Sequence, residues 1–169
     1  MIKTMTSASR GSPYRVLTAL LPLPATGIAG RVEAQPQAEV GIPSLNRASL
    51  AVPGSTATDV RISSEPGVVL AGTLYLPAGH SKGPYPLAVL IEGNGPNKRG
   101  GFSEIIKRLS ADGIAALEYD KRGVGQSTGT YEEHVERLTA DARAAVAAMR
   151  HRSDIIGSRI ALVGHSGAV

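Results

Sequence analysis

Three short apolar runs limit this chain more than any other feature: Leu87-Ala88-Val89-Leu90-Ile91, Ile114-Ala115-Ala116-Leu117-Glu118-Tyr119 and Ile160-Ala161-Leu162-Val163. None alternates with polar residues over its apolar stretch, so each reads as a strand buried on both faces, as in a parallel sheet covered by helices. The segments between them carry helical spacing. Phe102, Ile105, Ile106 and Leu109 form one apolar stripe, predicting a helix over Phe102–Asp112 that ends at Gly113. Val135, Leu138, Ala142, Val146 and Met149 form a second, predicting a helix over Tyr131–Arg150. Thr130, with Glu133 three residues on, reads as a capping box at the start of the second helix. Strand, helix, strand, helix, strand is the order of an α/β domain.

Ahead of these elements, Val60–Ser63 and Val68–Leu76 are β-rich and are parted by Glu65-Pro66-Gly67, a turn signal. They predict an antiparallel pair that makes the sheet mixed, though mostly parallel. Residues 35–58 are rich in Pro, Ala, Ser and Gly and read as a linker. Residues 1–34 read as a secretory signal. Lys3, Arg10 and Arg15 form a positive start, Val16–Ala29 is apolar, and Val32-Glu33-Ala34 offers small residues at a cleavage point. Pro22, Pro24 and Arg31 fit that pattern poorly, and a disordered or misread N-terminus is the alternative. Export to the periplasm or medium is expected if the signal is real, and a cytoplasmic location otherwise.

Composition removes several classes. The 169 residues have a net charge of +4, but four of the 18 basic residues (Lys3, Arg10, Arg15 and Arg31) lie in the first 34 positions against Glu33 alone. The remainder is close to neutral and offers no electrostatic funnel for phosphates, and one Phe with no Trp is poor equipment for stacking bases. No nucleic-acid partner is expected. No apolar run is long enough to span a membrane as a helix. Cysteine is absent, which excludes disulfides, thiolate metal sites and a Cys nucleophile.

The last strand runs directly into Gly164-His165-Ser166-Gly167-Ala168, a variant of the Gly-x-Ser-x-Gly nucleophile elbow. A serine on such a turn is lifted above the strand end, and the turn is so tight that residues two before and two after it must be small. The amide of the next residue, Gly167, can then face a developing oxyanion. Glu92-Gly93-Asn94-Gly95-Pro96, after the first buried strand, is placed to supply a second amide, for which Asn94 is the candidate. A plain turn shaped by Gly and Pro is the simpler reading. Two nucleotide-binding patterns fail on spacing. Gly123-x-Gly125-x-x-x-Gly129 is one residue too long for a dinucleotide fingerprint, and the run from Gly95 to Gly100 is followed by Gly101 where a phosphate-binding loop needs Lys. A nucleotide-binding α/β domain is therefore the weaker alternative.

The third landmark is Tyr119-Asp120-Lys121-Arg122-Gly123-Val124-Gly125-Gln126-Ser127, between the second buried strand and the long helix. Asp-x-Arg-Gly-x-Gly-x-Ser in this place, with the elbow following, resembles the α/β-hydrolase superfamily. The likeness is to its bacterial esterase, serine-aminopeptidase-like and dienelactone-hydrolase-like branches, and it covers roughly residues 59–169. It implies the N-terminal part of an α/β-hydrolase fold and a serine hydrolase acting on a small acyl ester or related substrate. Ser166 would be the nucleophile, with no metal and no cofactor. It also implies that Asp120, Arg122, Gly123 and Gly125 shape a structural loop near the active site. The family's acid and histidine come after the nucleophile, whereas His80, His134, His151 and His165 all precede Ser166. The 169 residues are therefore expected to be inactive alone, as a fragment or a non-catalytic relative, with Ile160–Val163 left as an exposed sheet edge.

Overall fold

The computed structural model describes residues 15–17, 50–80 and 82–165. Most of the expected signal, most of the linker, and Ser166 with Gly167 lie outside them. The strands are β1 (Arg15–Leu17), β2 (Ser55–Glu65), β3 (Val68–Pro77), β4 (Tyr85–Ile91), β5 (Ala115–Tyr119) and β6 (Ile155–Gly164). Helix α1 (Ser103–Ala111) joins β4 to β5, and α2 (Val135–Arg150) joins β5 to β6.

One mixed sheet runs in the order β1-β6-β4-β5-β3-β2. Its centre is parallel, with Val89 opposite Leu117 on one side and Leu162 on the other. Its flanks are antiparallel: β2 folds back on β3 through Pro66-Gly67, and β3 lies against β5. Alternate residues of each central strand face opposite ways. Leu87, Val89, Ile91, Ala115, Leu117 and Tyr119 join Ala142, Ala145 and Met149 of α2 in one core layer. Ala88, Leu90 and Ala116 join Phe102 and Ile106 of α1 in the other. This two-sided burial is why β4 and β5 show no alternation in sequence, whereas Ile160–Val163 of β6, expected to be buried on both faces, are half-buried.

Glu118 is buried among the second layer's residues at 1% exposure, and its Oε1 accepts a 2.8 Å hydrogen bond from the Tyr75 hydroxyl. Burial raises its carboxyl above the ordinary carboxylate range.

Four expectations are corrected. β2 begins at Ser55, inside the stretch read as linker, and β6 begins at Ile155, well before Ile160. Helix α2 starts at Val135 with His134 at its N-cap and no side-chain cap, so Thr130 and Glu133 form no capping box. The edge at Ile160–Val163 is partly covered, because β1 pairs antiparallel with β6, setting Val16 opposite Val163 and Leu17 opposite Leu162.

Candidate active site

The chain leaves β4 for β5 on one side and then returns for β6 on the other. β4 is thus the point at which the winding reverses, and a crevice at the C-terminal end of such a strand is where open α/β sheets bind ligands. Two loops meet there, the one after β4 and the one after β5, and β6 ends beside them at Gly164.

The loop after β5 is built around Asp120. Its Oδ1 accepts the Arg99 amide and its Oδ2 the Gln126 amide, both at 2.9 Å, while Ser127 Oγ donates to the Asp120 carbonyl at 2.6 Å. Gly125 has φ 58°, and a Cβ there would collide with the Asp120 carboxylate. Gly123 has φ 66°, and a Cβ there would strike the backbone of Thr130 and Tyr131. A side chain is therefore excluded at both positions, by backbone conformation and by space. This geometry also disposes of the dinucleotide reading. The loop does not open a helix, since α2 begins only at Val135, and the Gln126 amide is already taken by a carboxylate of the chain itself.

Arg122 ties this loop to the rest of the domain. Its Nε and Nη2 donate to the two Asp141 carboxylate oxygens at 2.9 and 2.8 Å, and its Nη1 donates to Glu65 Oε2 at 2.8 Å. Arg122 and Asp141 are 3% and 1% exposed, so this is a buried, two-pronged ion pair joining the loop to α2 and β2. The Asp141 hydrogen bonds hold the guanidinium firmly protonated, and the same guanidinium lowers the Glu65 carboxyl from its ordinary value.

Asn94 lies on the loop after β4, whose backbone is gripped on several sides. Asn97 Nδ2 donates to the Gly93 and Asn94 carbonyls at 3.0 and 2.8 Å, and the Gly95 amide donates to Glu133 Oε1 at 2.7 Å. Lys121 Nζ donates to the Gly93 carbonyl in a very short contact and to the Gly95 carbonyl at 2.9 Å. Lys121 is 3% exposed, and desolvation lowers its ammonium below the usual lysine value. Sequence reasoning passed over Lys121 and misassigned Glu133. The available signal was a lysine between Asp120 and Arg122, directly after a strand buried throughout.

Ser166 and Gly167 are outside the described residues, but the approach to them is not. Gly164 is opposite Ile91 in the β4–β6 ladder, and the His165 amide donates to the Ile91 carbonyl at 3.1 Å. The residue before Ser166 is therefore hydrogen-bonded to the residue before Glu92 and the Asn94 loop. His80 lies beside Gly113, ahead of β5, and His151 follows α2, ahead of β6, so both are at the opposite end of the parallel strands. Among the described residues, no group of three or more His, Cys, Asp and Glu could hold a metal ion, and no helix is long and apolar enough to cross a membrane.

Comparison with known proteins agrees with this layout. The Hydrolase_4 family, described as serine aminopeptidase, S33, matches residues 87–168. Esterase EstD of Thermotoga maritima is 36% identical over 108 residues, covering 57% of this chain and 24% of that protein. The uncharacterized protein MT2364 of Mycobacterium tuberculosis is 31% identical over 153 residues, covering 89% of this chain and 52% of its own. The chain thus spans about half or less of the length of these relatives. Among solved structures, the α/β hydrolase GrgF from Penicillium sp. sh18 superposes with a TM-score of 0.55 at 26% identity, covering 63% of this chain and 36% of that one. Est1E from Butyrivibrio proteoclasticus, solved with ferulic acid, shares the fold with a TM-score of 0.53 at 24% identity, covering 63% and 42%.

The sheet order and the loops beyond it are those of an α/β-hydrolase fold, and the chain is similar to members of the α/β-hydrolase superfamily. Within it, the similarity is to the serine-aminopeptidase-like and esterase members.

Proposed function

We propose that the protein is a serine hydrolase that cleaves carboxylic esters or related small acyl compounds, with Ser166 as nucleophile and the Gly167 and Asn94 amides as oxyanion donors. The observation that carries this reading is the hydrogen bond from the His165 amide to the Ile91 carbonyl, which sets the start of the elbow against the start of the Asn94 loop. Engagement of the Gly95 amide by Glu133 supports Asn94, its neighbour, as the donor on that loop. The esterase relative supports an acyl ester as substrate.

In this mechanism Ser166 Oγ attacks the acyl carbonyl carbon as a base takes its proton. The carbonyl oxygen becomes an oxyanion held by the two amides. The intermediate collapses with loss of the alcohol, and water then releases the acid from the acyl-serine by the same route. The base and its orienting acid would come from residues beyond those described. His80, His134, His151 and His165 all precede Ser166. We also propose that residues 1–34 direct export. An exported form would begin near Gln35, which N-terminal sequencing would reveal; an intact Met1 on the exported protein would reject it.

The test of the central reading is turnover of p-nitrophenyl acetate by the full-length gene product beside a Ser166→Ala variant. The expected loss is on the order of 10³-fold or more in kcat/KM. Equal turnover by the two proteins would refute Ser166 as nucleophile.

A further inference from the structure

We infer that Lys121 is a positioning residue for the oxyanion donor: it fixes the Gly93–Asn94 peptide group so that the Asn94 amide faces the substrate, with Glu133 securing the next peptide along. The inference rests on the reading of Asn94 given above. Nothing in the resemblance to α/β hydrolases assigns this role to either side chain.

The argument starts from a single peptide plane. The Gly93 carbonyl and the Asn94 N–H belong to one trans peptide unit, so they point in opposite directions from its axis. Whatever holds the carbonyl therefore aims the N–H. Two donors hold it, the Lys121 ammonium and the Asn97 amide. The ammonium bridges onward to the Gly95 carbonyl at 2.9 Å and so spans Asn94 from one side to the other. Glu133 then takes the Gly95 amide at 2.7 Å, which stops the second peptide from turning over.

A flip of the Gly93–Asn94 peptide is the natural failure of such a loop, because it turns about ψ of Gly93, and a glycine resists that rotation less than any other residue. A flip would replace an oxyanion donor with a carbonyl oxygen, which repels the developing charge. With Lys121 in place, a flip would leave a buried ammonium short of an acceptor, at a cost far above that of an ordinary lost hydrogen bond. The cation also polarises the peptide that it holds, making its N–H a stronger donor. Burial of Lys121 is thus turned to use. A solvated lysine would exchange the carbonyl for water, whereas this one is desolvated and, among the described residues, donates to the two carbonyls with Glu133 and Glu92 nearby.

The experiment compares Lys121→Met and Glu133→Ala with the parent full-length protein, reading kcat and KM for p-nitrophenyl acetate, thermal midpoint, and amide hydrogen exchange at Asn94 and Gly95. The expected result for Lys121→Met is a fall in kcat of about 10- to 100-fold with KM within about 3-fold. Exchange at the two amides should rise at least about 10-fold while the β4 and β5 amides are unchanged. Glu133 is exposed, so its variant should fold even if Lys121→Met does not. It should show the same pattern, more weakly. An unchanged kcat in a folded Lys121→Met protein, or a loss confined to stability and KM, would overturn the inference while leaving the hydrolase reading intact. If the parent protein shows no Ser166-dependent turnover, the hydrolase reading fails instead. Exchange at Asn94 and Gly95 then decides the clamp, and unchanged rates in both variants would reject it.

Discussion

The loops after β4 and β5 lie side by side yet are held differently. Residues 120–128 carry a network of bonds within their own segment and are also tied to β2, β3 and α2. Asp120 accepts Gln126, Ser127 returns to the Asp120 carbonyl, Val124 donates to the Lys121 carbonyl at 3.0 Å, and Gly123 donates to the Thr128 carbonyl at 3.0 Å. Residues 93–97 keep some bonds of their own through Asn97, but the groups on either side of Asn94 are also held from outside, by Lys121 and Glu133. One loop is a frame and the other is mounted on it. A catalytic amide can then be aimed by side chains of a neighbouring segment, while its own segment keeps the glycines needed to approach a substrate.

If that contrast is right, damage to the frame should cost stability, and damage to the mounted loop should cost far less. The largest effect is expected from Arg122→Ala, which removes the anchor of the frame and leaves Asp141 buried without its partner. Urea denaturation should show a loss of about 3–5 kcal/mol, and a loss below about 1 kcal/mol would show that the frame is not anchored there. Gly125→Ala comes next, at about 2–3 kcal/mol, since it combines an unfavourable φ with a clash on Asp120. A neutral outcome would mean that the Asp120 hydrogen bonds can rearrange freely. The smallest stability effect belongs to Asn97→Ala, about 0.5–1.5 kcal/mol, read by the same denaturation. A cost equal to that of Arg122→Ala would erase the distinction between the loops.

How much of this was legible in the sequence depended on whether a residue's partner was near or far along the chain. The central strands declared themselves because burial on both faces leaves unbroken apolar runs. β2 was foreshortened because it is an edge strand with a largely exposed face, whose first residues, with exposed Thr56, Thr58 and Asp59, carry too little apolar content to stand out from the linker. β6 was read late because Gly157-Ser158-Arg159 interrupts the apolar run; those residues belong to the strand but lie within the register shift between the Tyr85–Ile155 and Leu87–Ile160 pairs. The Gly164–Ala168 motif and Asn94 could be picked out as candidates from spacing, since each follows a recognisable strand. Lys121 could not be interpreted that way, because its acceptors lie some 26 to 28 positions earlier and only the sheet brings them close. Glu133 was misread for a related reason. Its spacing from Thr130 fits a local cap, but a partner on a different loop claimed its carboxylate.

The hydrogen bond between His165 and Ile91 has a consequence for how such a domain can diversify. Neighbouring strands in a ladder are about 4.8 Å apart whatever their side chains. Under the proposed mechanism, a nucleophile launched from the end of β6 and an amide carried beyond β4 therefore inherit their separation from backbone geometry. The sheet acts as a ruler, and the ruler is blind to substrate. Loops that contact the acyl and leaving groups can be lengthened, exchanged or recoloured with different side chains while the distance between attacking oxygen and oxyanion donor stays calibrated.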